Sequence, residues 1–164
     1  MEKHSSRGNG APAGEVDRIL DQLHRAFEGD AWHGTPLKEL LRDVPAKKAA
    51  ARPIAAGHSI WELVLHMIAW QRVVVRRLAG EALLKLPADE NWPAIPDTSE
   101  DAWVRAREDL TLSHRQLHDT IARLADSWLS ETVPGKDYSV YVMLHGVIQH
   151  NLYHAGQIAL LKKA

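Results

Sequence analysis

Two histidines, His150 and His154, stand four residues apart in the apolar, proline-free stretch from Val140 to Lys162. On an α-helix that spacing stacks both imidazoles on one face. Two donors are not a site, because a closed or catalytic metal centre needs at least a third protein ligand. The best candidate is His66, inside a second strongly apolar run from Ser59 to Ala79. If the helices carrying these residues are neighbours, three neutral imidazoles can meet one divalent ion at ~2.0 to 2.1 Å and leave positions open for water or substrate. Zinc and nickel both suit such a donor set, and ligand type alone does not separate them. The competing reading is that each ring hydrogen-bonds a backbone carbonyl or a polar neighbour, with Asn151, Tyr153 and Gln157 within reach of the pair.

The other histidines carry less chemistry. His114 lies on an apolar stripe between Leu110 and Leu117, as a core residue or one lining the same cavity. His145 is about 140° round the helix from His150 and cannot share an ion with it if His154 does. His4, His24, His33, His58 and His118 fall in the terminal arm, on polar faces or in linkers, where solvated side chains are expected. Trp61, Trp70 and Trp103 recur at helical spacing and read as packing, whereas Trp32 and Trp92, both in connections, are candidates for a pocket mouth. Glu62 completes a capping box, and orienting the His66 imidazole is its alternative role.

Four long helices must position these groups. From Glu15 to Glu28 the residues Val16, Ile19, Leu20, Leu23 and Phe27 form one apolar stripe, ended by Gly29. Thr35 and Pro36 open a short helix to about Arg42, and KKAAARPIAAG follows as a connection with some helical propensity. Ser59, three residues before Glu62, starts a helix carrying Ile60, Leu63, Val64, Met67, Trp70, Val74 and Leu78, which Gly80 is placed to end. Residues 81 to 98, with three prolines, predict a long irregular connection of the kind that borders function. Thr98 or Ser99 caps a third helix, on which Trp103, Ala106, Leu110, His114, Leu117, Ile121 and Leu124 form a near-heptad stripe. A turn at Pro134 and Gly135 leads to the last, starting near Ser139, with Val140, Leu144, Val147, Asn151, His154, Ile158 and Leu161 inward. No strand-like alternation is present, so the fold class is all-α, a four-helix bundle whose sites are built from core-facing side chains.

Composition narrows the chemistry further. With 164 residues the chain fits one domain at 14–164, preceded by a polar, glycine-rich N-terminal arm at 1–13 that is expected to be disordered. Twenty basic and twenty-one acidic side chains leave a net charge of -1, so neither nucleic acid nor an anionic membrane is favoured as a partner. No run is apolar enough to span a membrane and no signal-peptide core is present, so a cytoplasmic protein is expected. The absence of cysteine excludes disulfides, thiolate ligands and cysteine nucleophiles, and any thiol chemistry needs an external thiol. There is no phosphate-binding glycine loop and no HExxH pair. Gly156, mid-helix, costs about 1 kcal/mol relative to alanine, which close helix approach or room beside a metal would explain.

The segments HGVIQHNLYHAGQIALL at 145–161 and HSIWELVLHMIAW at 58–70 closely resemble the DinB/YfiT-like superfamily. AWHGTPLKELL at 31–41, RRLAGE at 76–81 and VPGKDYSVYVMLHG at 133–146 share the likeness, which runs from about residue 14 to the C-terminus. The resemblance implies an up-down four-helix bundle, often a homodimer, with a divalent metal on three histidines, here His66, His150 and His154. It also implies small-molecule chemistry, since members of known activity transfer low-molecular-weight thiols such as bacillithiol or mycothiol, or isomerise thiol adducts. The expectation is a metal-dependent thiol S-transferase or hydrolase in which the ion activates water or an external thiol. Its rival is a non-catalytic, metal-stabilised dimeric module for interaction or stress response. A fourth protein ligand would favour the rival, and an open position facing a cavity would favour the enzyme.

Overall fold

Hydroxyl caps set the starts of the three longest helices. Ser59 Oγ accepts from Glu62 N at 3.1 Å while the Glu62 carboxylate accepts from Ser59 N at 2.8 Å, so the expected capping box opens α4, Ile60–Leu78. Ser99 caps α6, Glu100–Ile121, and Ser139 caps α7, Val140–Leu161. At the far end of α4, Gly80 takes φ +95, and the Gly80 and Glu81 amides bond back to Arg77 O and Arg76 O, a Schellman ending that needs a residue free of a Cβ clash. The first long helix, α1, Glu15–Phe27, begins at Gly14, which has no side chain to cap it. Asp126, 111 and 110 residues on, accepts from the Glu15 and Val16 amides at 2.9 Å instead.

This computed structural model describes residues 14–164, so the arm expected at 1–13 lies outside the described residues. Three short helices complete the α set, α2 at Leu37–Leu40, α3 at Ala46–Ala50 and α5 at Ala88–Asn91. The structure is therefore all-α, and among the described residues there is no strand, only an isolated bridge between Thr132 and Ser139. Some boundaries depart from expectation. In the alanine-rich connection, expected to have some helical propensity, Ala46–Ala50 folds as α3, and α6 stops at Ile121, three residues short of Leu124. A 3-10 helix, Asp126–Ser130, follows and supplies the Asp126 that caps α1.

The four long helices touch in a ring, α4 against α6 and α7, and α1 against α7 and α6. Their apolar stripes make two clusters. One joins Met67 and Leu63 of α4, Trp103 and Leu110 of α6 and Ile158 of α7; the other joins Val74, Leu117, Ile121, Leu144 and the α1 residues Ile19 and Leu23. Between them, α4, α6 and α7 each bury polar groups, Gln71, Ser113 and Asn151. The first half of both α4 and α6 lies in one cluster and the second half in the other, whereas α1 and α7 run the opposite way. Strict up-down alternation along the chain does not follow from this arrangement. The long connection between α4 and α6 lets the chain return before α6 starts in the same sense as α4, and that connection carries α5 to the site.

Candidate metal centre

Because α4 and α7 pack together, the three predicted histidines meet. His150 Nε2 lies 3.1 Å from His66 Nε2 and 3.1 Å from His154 Nε2, and the three donor atoms all fall within 4.8 Å of one another. Two ligands that each sit ~2.1 Å from one ion can be no more than about 4.2 Å apart, so both 3.1 Å contacts fit a shared cation. Among the described residues no other group of His, Asp or Glu converges in this way, and no fourth such donor joins the three.

The opposite ring nitrogens decide the tautomers. His66 Nδ1 is 2.7 Å from the Asn91 backbone carbonyl, so it carries the proton and donates, leaving Nε2 with a lone pair. His154 Nδ1 donates in the same way to Gln157 Oε1 at 2.7 Å. Two lone pairs therefore point at His150 Nε2, which has at most one proton to share between them. Hydrogen bonding among the rings leaves a donor missing, whereas a cation meets every lone pair. The donor chemistry fits a divalent metal.

Desolvation keeps the rings neutral, the state a ligand requires. Burial pushes His150 down to about 3, with the neighbouring His154 and His66 adding to the effect. It also lowers His66, against the Asn91 hydrogen bond that raises it, and lowers His154, against the bond to Gln157. His150 Nδ1 is buried without a partner.

The connection after α4 builds the outer wall. Trp92 stacks on His66 at 3.9 Å between centroids and on His58 at 3.5 Å, so the indole is held between two imidazoles. Trp70 Nε1 donates to Asn91 Oδ1 at 2.9 Å, anchoring the residue whose carbonyl orients His66. A cavity of about 560 Å³ opens beside the cluster, walled by Trp70, Val74, Met143 and Val147 and reaching Arg77 and Tyr138.

The remaining expectations divide. Trp92 does line the cavity, but Trp32 is fully exposed and belongs to a different surface. Trp61 and Trp103 pack as expected, 5.0 Å apart, whereas Trp70 is a cavity wall as well. His114 stacks on Phe27 at 3.9 Å and is not among the cavity-lining residues. His145 stands apart, 4.3 Å from the Tyr141 ring. His58 is exposed yet stacked on Trp92 rather than simply solvated. Glu62 serves the capping box and an ion pair with Arg52, and the Asn91 carbonyl holds His66 in its place. A Cβ on Gly156 would meet nothing within 4 Å, so close helix approach does not explain that glycine. Asn91 was missed from the sequence because it acts through its backbone carbonyl, which no side-chain pattern signals.

The family model described as the DinB superfamily matches residues 31–158, most of the chain and all three histidines. The chain belongs to the DinB superfamily. No curated protein and no solved structure matches it significantly. Within this DinB-superfamily chain, the matched region holds α4, α5 and most of α7, every element that supplies the cluster.

Proposed function

We propose that His66, His150 and His154 hold a divalent ion, zinc or nickel, and that the protein is a metal-dependent enzyme of thiol S-transferase or hydrolase type acting on a small molecule. One observation carries this reading: three imidazole Nε2 atoms converge at the wall of a cavity, with no fourth His, Asp or Glu donor beside them among the described residues. An ion held there would keep coordination that no His, Asp or Glu among the described residues fills, beside a cavity that a substrate can occupy, which favours the enzyme over the structural module. When bound, the ion supplies Lewis acidity for activating water or an external thiol. The chain's own residues do the rest. Asn91 O and Gln157 Oε1 hold two Nδ1 protons and so aim two Nε2 lone pairs, and Trp92 shields one face of His66 from water.

The four long helices are read as one four-helix bundle domain spanning 14–164. The homodimer and the low-molecular-weight thiol are proposed from family membership alone, and the cytoplasmic setting from the sequence reading. Metal analysis of the purified protein, followed by a conjugation screen against electrophiles with bacillithiol, mycothiol, glutathione and coenzyme A, tests the reading. Bound metal with thiol-dependent turnover is the expected result. Bound metal with no turnover by any thiol and no hydrolysis would move the protein to the non-catalytic class.

A further inference from the structure

At the far side of the cavity from the histidines sits a buried cation with too few partners. Arg77 is 6 % exposed, and its guanidinium donates only twice, from Nη1 to the Tyr138 hydroxyl and from Nη2 to the Leu83 carbonyl, each at 3.0 Å. A guanidinium has five N–H donors, so three go unused, and Nε is buried with no partner. No carboxylate pairs with it among the described residues. A buried, uncompensated charge is costly unless something completes it. Tyr138, which also lines the cavity, accepts from Arg77 and so keeps its own hydroxyl proton free to donate.

Position ties this cation to the histidines. His66, Trp70, Val74 and Arg77 follow one another at helical spacing on α4, and all four line the same cavity. The Arg77 guanidinium carbon is 5.9 Å from the Trp70 ring, and that ring is 5.9 Å from His150. The cation and the imidazole cluster thus face one space across a single indole, with Val74, Met143 and Val147 as apolar wall between them.

We infer that the substrate of this site is a small organic monoanion whose carboxylate docks on Arg77 and Tyr138 and whose apolar body lies along Trp70, presenting its reactive end to the histidines. Arg77 is a binding residue in this assignment. A carboxylate would accept from an unused Nη–H of Arg77 and from the Tyr138 hydroxyl, in charge-assisted hydrogen bonds. The anchor stands on Arg77 by itself; that its ligand is a substrate rests on the metal-enzyme reading.

The probe pair is 3-phenylpropionate and its neutral amide, 3-phenylpropanamide, titrated by calorimetry into the full-length, zinc-loaded protein. Wild type is expected to bind the acid at least tenfold more tightly than the amide. Arg77→Met should erase that preference with metal content unchanged, and Arg77→Lys should retain part of it. His154→Ala, stripped of metal, should still prefer the acid. If Arg77→Met does not fold, the Arg77 guanidinium N–H resonances of wild type decide: they must shift with the acid and not with the amide. No acid preference in wild type overturns the assignment, as does an unchanged preference in Arg77→Met. A preference lost in His154→Ala but kept in Arg77→Met would put the carboxylate on the metal and overturn it too. A wild type that holds no metal but shows the Arg77-dependent preference would sink the metal reading and leave the anion anchor standing.

Discussion

Two settings in this protein bury imidazole, and they do so to different ends. His114 on α6 is 4 % exposed, stacked on Phe27, with Nδ1 unpartnered, and burial pushes it down to about 4. His66, His150 and His154 are also shielded and also held neutral. Depth and a depressed pKa therefore do not mark the site. Convergence does: the cluster has three Nε2 atoms aimed at one another and two Nδ1 protons pinned behind them, while His114 has an aromatic neighbour and no second imidazole donor.

The sharpest way to break this contrast is metal analysis of alanine variants. His154→Ala and His66→Ala should each fall from full loading to baseline by plasma mass spectrometry, whereas His145→Ala and His114→Gln should load like the parent. Equal metal in all four would erase the distinction between the two settings.

The next effect belongs to His114. Its folded value of about 4 lies below the ordinary 6.5, so the fold prefers the neutral ring. Its contribution is complete above about pH 6.5, and as pH falls towards 4 the unfolded chain takes up a proton that the folded chain refuses, so stability drops. Between pH 7.5 and 4.5 this amounts to about 2 to 3 kcal/mol, an order-of-magnitude figure from the shift itself. Urea unfolding of wild type and His114→Gln at both values should show the difference between them shrinking by that amount on acidification.

A smaller loss is expected at the residue behind His154. Gln157→Leu removes the acceptor of its Nδ1 proton and should weaken metal affinity by about 10- to 100-fold in a chelator competition, with the helix intact by circular dichroism. Smallest is a gain. Gly156→Ala, two residues from His154 on an open face of α7, should stabilise the fold by up to about 1 kcal/mol with metal loading unchanged. Loss of metal there would mean the glycine serves the site after all.

Local signals wrote much of this protein. Ser59 and Glu62, Gly80, and the inner stripe from Val140 to Leu161 are legible because caps and apolar period act within one or two turns of chain. The His150 and His154 pair is legible for the same reason, since a spacing of four is itself a geometry on a helix. His66 could be nominated from sequence, but its membership needed α4 and α7 to pack side by side. Asn91 O and the Trp92 stack belong to the tertiary structure alone, because a backbone carbonyl and a ring stack leave no periodic trace in the residues that make them. The shared direction of α4 and α6 was hidden likewise: an amphipathic stripe records which face is buried, not which way the next helix runs.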